Sequence, residues 1–294
     1  MSGPIRGALW ITLANLCFAA MAGIIRHVSA DMHPFEIAFF RAFFGLVLMA
    51  PWFLRLGLAS VRSRRVGLHV CRSLVMVAAT LTWFTAISLM PIADVTALTF
   101  TTPLFATLGA ALFLAERVGL RRSAAIAVGF AGAMIILRPG VEALTLPAMS
   151  ALAAAVFGAV GILIVKSLSR TESPATIVIY VGLLLTPLSL VPALFYWSTP
   201  SLVTLAWLAA LGLVANLGHL SFARAMASAD ATAVLPFDFL KLFFTAALGF
   251  VLFAEVPDVW TWIGASVIFS ATLYTAGRES TLGRIAKTRQ KKEA

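Results

Sequence analysis

Charge is what this chain has least of. Only 12% of its 294 residues are Asp, Glu, Lys or Arg, against 61% hydrophobic residues and a mean hydropathy of +0.98. Soluble domains are nearer half apolar and a quarter charged, so the composition points to a polytopic membrane protein with no soluble enzyme domain. Cysteine is also scarce. Cys17 and Cys71 each sit in an apolar run without metal-ligand spacing and read as small core residues, with no disulfide expected. The four histidines, His27, His33, His69 and His219, lie far apart and form no His-Glu-x-x-His pattern. No metal site and no cofactor is expected. A Gly-rich loop ending in Lys-Ser/Thr is missing too, which argues against ATP drive within this chain.

What is present is a series of long apolar runs. A span needs about 20 apolar residues to cross a hydrocarbon core of ~30 Å. Ten segments qualify: roughly 7–28, 35–54, 66–88, 93–115, 121–138, 147–168, 174–197, 203–227, 231–254 and 259–277. The first is too long for a signal peptide and is read as a retained helix. Breakers such as "LMPIAD", "LRPG" and "WSTPS" mark connections, and Pro103, Pro187 and Pro236 interrupt spans.

The net charge of +10 does not imply nucleic acid. With the N-terminus in the cytoplasm, only Arg26 and Arg138 fall outside, and Arg41, Arg72 and Lys241 fall within spans. Every other basic residue lies on the cytoplasmic side, six of them in the tail. Such a bias fixes the orientation expected in a cell (inner) membrane, with both termini cytoplasmic. The tail would sit near anionic lipid.

An offset of 139 residues brings "FLAE" (113–116) onto "LFAE" (252–255), Phe18 onto Phe157 and Ile25 onto Ile164. A second echo, "ADVTAL" (93–98) against "ADATAV" (229–234), needs a three-residue gap. The chain therefore divides into residues 1–140, residues 141–277 and a basic tail, 278–294. Five spans per half force the second half to enter the membrane inverted. The expected fold is all-α, ten transmembrane helices as two inverted five-helix repeats around a central cavity, the plan of secondary transporters. Agreement by composition alone is the plainer alternative.

Four stretches carry a family resemblance: "FFRAFFGLVLMAP", "FTAISLMPIADVTALTFTTPLFATLGAALFLAERVGLRR", "GFAGAMIILRPG" and "PFDFLKLFFTAALGFVLFAEVPDVWTWIGA". Together they resemble the EamA-type permeases of the drug/metabolite transporter superfamily, over nearly the whole chain. The resemblance implies the ten-helix fold, with a cavity lined mainly by spans 1, 3, 4, 6, 8 and 9. Within the family, "PFDFLKLFF" followed by "FAEVPDVWTWIG" is most similar to the branch of riboflavin and S-adenosylmethionine permeases.

The candidate site residues follow from cost. Lys241 lies ~15 Å and Asp238 ~10 Å into the ninth span at 1.5 Å per residue. An ionised group at the bilayer centre costs about 2.5–3.5 kcal/mol on insertion scales. Both are read as facing a substrate cavity; the competing reading is a helix-packing ion pair. Trp83 and Phe100 are the aromatics chosen to stack on a planar solute. Asn15, Asn216 and His219 either contact solute or hold helices together. Arg41 with Glu36 is a candidate outer gate, although Arg41 can instead snorkel to the surface; Arg72, ~9 Å into the third span from the cytoplasmic side, reads either as another snorkelling arginine or as a residue of the inner mouth. Asp94 and Asp230 read as helix caps, and Glu116 and Glu255 as boundary residues.

The leading function is a secondary transporter of a small organic metabolite working by alternating access, with riboflavin or S-adenosylmethionine as examples of the solute. An amino-acid or drug exporter of the same superfamily is the alternative. An intramembrane enzyme lacks its nucleophile, base or metal set, and a structural or sensory subunit needs no midplane charge. The expected partners are a small-molecule substrate and the lipid bilayer, with no nucleic acid; a homodimer is left open.

Overall fold

The computed structural model describes residues 3–56, 63–113, 120–138, 145–228 and 234–274. The proposed tail 278–294, the boundary at 140/141, Glu116 and Asp230 lie outside the described residues. The helices are α1 (Gly3–Val28), α2 (Pro34–Leu56), α3 (Val66–Leu89), α4 (Ile92–Thr99), α5 (Thr102–Phe113), α6 (Leu120–Leu137), α7 (Leu146–Leu168), α8 (Pro174–Leu194) and α9 (Leu202–Ser228). A 3-10 turn at Leu235–Phe239 follows, then α10 (Leu240–Phe253) and α11 (Val259–Tyr274). Among the described residues, eight stretches are long and apolar enough to cross a membrane, and Ser123–Leu137 and Val259–Tyr274 are shorter apolar helices.

Local chemistry sets the helix starts. Ser173 precedes Pro174, and its hydroxyl accepts the Thr176 N–H at 3.1 Å, satisfying a free donor while the proline supplies a preset φ. At α2, Glu36 reaches back to accept the His33 N–H at 3.3 Å, the returning half of a capping box.

Two expected spans are not single helices. The fourth breaks between α4 and α5, where the amides of Phe100 and Thr101 bond to carbonyls three residues back, Ala97 and Leu98. Pro103 follows and cannot donate to the carbonyl four residues before it. The ninth carries the 3-10 turn around Pro236. Both breaks fall at chemistry-bearing positions, Phe100 in one and Asp238 in the other.

Packing follows a two-fold plan. α1 lies along α9, and its repeat counterpart α7 lies along α3. α2 also packs on α9, as its counterpart α8 packs on α3, and α2 meets α8 directly. Each contact between halves thus has its partner under exchange of the halves. At the periphery α6 crosses α11 at paired glycines: a Cβ on Gly132 would lie 2.8 Å from the Gly264 carbonyl oxygen. Only backbone fits there.

The cysteines depart from expectation. Both are free, but Cys71 is exposed and Cys17 half-buried, so neither is a core residue. Lipid replaces water outside the bundle, and an exposed apolar thiol carries no burial requirement there.

Candidate functional site

A continuous strip of side chains crosses the middle of the bundle. Lys241, in the first turn of α10, holds its ammonium 5.5 Å from the Phe100 ring centre and 6.0 Å from that of Phe18 on α1. Phe18 meets His219 of α9 edge-on at 5.3 Å. His219 Nε2 lies 3.1 Å from Arg41 Nη2 of α2. A guanidinium has donors alone, so Nε2 accepts and the ring proton sits on Nδ1. On the other flank Phe100 adjoins Phe239 at 5.8 Å, which stacks on Phe269 at 4.5 Å. Five helices and the 3-10 turn thus converge on one aromatic and cationic strip. His219 is exposed and Lys241 half-buried, so solvent-sized space reaches both side chains.

The break in the ninth span shapes this strip. In the 3-10 turn the Phe237 carbonyl already takes the Leu240 N–H, and it also accepts the Asn15 amide at 3.0 Å. Asn15 is fully buried, and its own side-chain oxygen has no partner among the described residues. It therefore pins α1 to the turn that carries Asp238.

Several expected pairings do not form. Asp238 and Lys241 make no ion pair among the described residues; the Lys241 ammonium lies over the rings of Phe18 and Phe100 instead. Arg41 meets His219, not Glu36. Glu36 is fully buried and bonds to the Ser198 N–H at 2.5 Å and the Ser198 hydroxyl at 3.1 Å, tying α2 to the loop before α9. Arg72 donates to the Ile177 carbonyl of α8 at 2.9 Å. Trp83 packs on Phe84 at 5.6 Å and against the same core as Phe18 and Phe239. Asn216 is one turn from His219 but turns to the Gly45 carbonyl, 3.0 Å away, as a brace between α9 and α2. Asp94 does not cap α4: it accepts from the Thr261 hydroxyl at 2.7 Å, and Glu255 Oε2 instead accepts the Ile92 N–H at 2.9 Å from the other half of the chain.

Glu255 belongs to a second cluster that sequence reading missed. It lies 3.3 Å from Arg26 Nε, while Arg26 also donates to the carbonyls of Ile87 and Ser88. Arg138 pairs with Asp258 close by in sequence. These contacts tie the ends of α1, α3, α4, α6, α10 and α11 across the two halves, at the end of the bundle that the basic-residue bias assigns to the outside. The missed signal was the coincidence of the two outside arginines with acids just after α10. Phe18, three residues from Asn15, and Phe269 were also missed, since nothing marks them among 22 phenylalanines.

Two apolar grooves of about 400 and 450 Å³ lie elsewhere, one between α6 and α11 and one between α3, α5 and α7, and neither includes a candidate site residue. Among the described residues no three His, Cys, Asp or Glu side chains come together as a metal site.

The comparisons decide the family. The model of the EamA-like transporter family matches residues 5–138 and again 145–277. The chain belongs to the EamA-like transporter family. It is a multi-pass membrane protein and a transporter, not an enzyme, with an all-α fold of ten spans in two inverted repeats. This EamA-like chain is 35% identical over 287 residues to a riboflavin transporter of Vibrio cholerae serotype O1, covering 96% of each. It is 30% identical over 268 residues to an S-adenosylmethionine uptake transporter of Rickettsia bellii, covering 91% of this chain and 92% of the relative. A crystal structure at 17% identity superposes with a TM-score of 0.61, covering 90% of this chain and 94% of the other, which shows the fold alone.

Proposed function

We propose that this EamA-like transporter moves a small organic solute with a planar ring, riboflavin first among candidates, by alternating access around the strip at Phe18, Phe100, His219 and Lys241. One observation carries the reading. Lys241 stands beside two aromatic rings inside a membrane span without an ion-pair partner among the described residues. A lipid-facing or purely structural lysine there is costly, whereas one at a solute site is neutralised or hydrated when the site is in use. The broken fourth and ninth spans support the same reading, because interrupted helices free backbone groups where transporters bind their cargo. The riboflavin assignment draws on the relative of that name and on the flat aromatic walls, which match a tricyclic ring.

The proposed setting is a cell inner membrane with both termini cytoplasmic, the two repeats meeting between residues 138 and 145. The Arg26–Glu255 cluster then closes the outer end. Proteoliposome counterflow tests the function: preloaded riboflavin should drive uptake of labelled riboflavin. Lys241→Ala should abolish most of that flux while expression and monodispersity are unchanged, since removing a charge from the core does not hinder insertion. Normal flux through Lys241→Ala vesicles would refute the placement of the site.

A further inference from the structure

We propose that the strip selects cargo by charge: it takes a flat ring system bearing an electron-rich or anionic edge and discriminates against cationic solutes, sulfonium compounds included. The inference rests on the reading of the strip as the transport site and adds the class of molecule it accepts.

The balance of charge around the strip is positive. Lys241 and Arg41 contribute two cations. Asp238 is the acid nearest in sequence, one turn before Lys241, and forms no ion pair with it among the described residues. The acid on α2, Glu36, is committed to the Ser198 N–H and hydroxyl and to the His33 N–H.

The donors are also in surplus. An ammonium has three donors and a guanidinium five. Among the described residues Lys241 spends none in a side-chain hydrogen bond, holding only the faces of Phe18 and Phe100. Arg41 spends one, on His219. Acceptors are the missing half: carbonyls, ring nitrogens, carboxylates or phosphates on the cargo. The cation–π contacts at 5.5 and 6.0 Å are weak enough to exchange for a ring inserted beside Phe18 and Phe100, so that the cargo's plane takes the aromatic faces and its acceptor edge takes the ammonium. Flavins have that shape, with carbonyl and imine acceptors along one edge of a flat ring. S-Adenosylmethionine brings a flat ring but adds a sulfonium charge. S-Adenosylhomocysteine has nearly the same shape without that methyl group and charge.

The pair of thioether and sulfonium compounds makes the test clean. Purified full-length protein in detergent is titrated with riboflavin, flavin mononucleotide, S-adenosylhomocysteine and S-adenosylmethionine, following the thermal unfolding midpoint. The flavins should raise the midpoint. S-Adenosylhomocysteine should half-saturate at a concentration about tenfold below S-adenosylmethionine, the scale of one like-charge repulsion across a partly hydrated site. Lys241→Met should shrink that ratio to about threefold or less, and Arg41→Gln should shift it the same way. S-Adenosylmethionine binding as tightly as its uncharged analogue would overturn the proposal, as would a midpoint that no probe raises, or an unchanged ratio in both variants. The wild-type comparison alone is decisive if a variant fails to fold. Counterflow separates the two claims. Binding in the expected order without counterflow sinks the transport reading, and counterflow with a preference for the sulfonium compound sinks the charge inference.

Discussion

Glu255→Gln isolates the charge that holds one end of the bundle shut. The carboxylate makes two contacts: an ion pair with Arg26 at 3.3 Å and acceptance of the Ile92 N–H at 2.9 Å. Glutamine keeps an oxygen for Ile92 and loses the attraction to Arg26. The side chains are 27% and 11% exposed, so the pair is neither a free surface pair nor a dry one. Exposed pairs are worth about 0.2–1 kcal/mol, and removing one partner of a buried pair costs about 3–5 kcal/mol; for this partly exposed pair about 1.4 kcal/mol lies between the two, which corresponds to a tenfold shift in a two-state equilibrium. Arg26 keeps its bonds to the Ile87 and Ser88 carbonyls in the variant, so α1 stays joined to α3 while its link to α10 weakens. The assay is thiol accessibility. In a Cys17→Ala, Cys71→Ala background, Thr245→Cys places a reporter one turn beyond Lys241 on α10, toward the Glu255 end, at a position that is now buried. A membrane-impermeant reagent applied from that side of the vesicle should label it about tenfold faster in Glu255→Gln. Labelling within about twofold of the parent would show that this ion pair does not hold the bundle closed, and Glu255 would revert to a helix-end residue.

Two further predictions concern the bundle itself. Gly132→Ala places a methyl group 2.8 Å from the backbone oxygen of Gly264, which neither a rotamer change nor a side-chain shift relieves, so the variant should lose about 1–3 kcal/mol and unfold at a lower temperature in detergent; an unchanged midpoint would mean that α6 and α11 can part freely. Asn216→Ala removes the 3.0 Å bond to the Gly45 carbonyl between α9 and α2 and should cost about 0.6 kcal/mol, at most near 1.7, with riboflavin half-saturation little changed; a large loss of binding with stability intact would move Asn216 into the site.

The architecture was legible because membrane helices announce themselves by length and by the sign of their flanking charges. The ten spans follow from apolar runs of sufficient length, and the odd number of spans in each repeat makes the second half the inverse of the first. Lys241 was legible for the same reason: a charge in lipid has to be explained. What surrounds Lys241 was not. Phe18 beside it and Phe269 farther along the strip come from α1 and α11, and phenylalanine is as much at home in lipid as in a binding site, so residue type carries no information about which way it points. Arg41 was assigned to Glu36 because the two are close in sequence. The structure instead sends Arg41 inward to α9 and Glu36 to the loop before it, each finding a partner from the other half of the chain. Contacts between halves are set by the two-fold arrangement, and that arrangement leaves no local mark on the residues that meet.

The break in the ninth span shows how the same symmetry is relaxed where the chemistry is. The echoes "ADVTAL" and "ADATAV" and the echoes "FLAE" and "LFAE" disagree in offset by three residues. That discrepancy falls in the interval that holds the 3-10 turn Leu235–Phe239, whose counterpart interval holds the break after Thr99. A 3-10 turn rises about 2.0 Å per residue against 1.5 Å in an α-helix, so the second repeat gains both length and rotation just before Lys241. A strict copy of the first repeat would present a different residue to Phe18 and Phe100. At this level Lys241 meets those rings, and the Phe237 carbonyl accepts the Asn15 amide as well as the Leu240 N–H. Two halves that are alike elsewhere therefore differ at the level of the strip, which gives it an aromatic wall from the fourth span and a cationic one from the ninth.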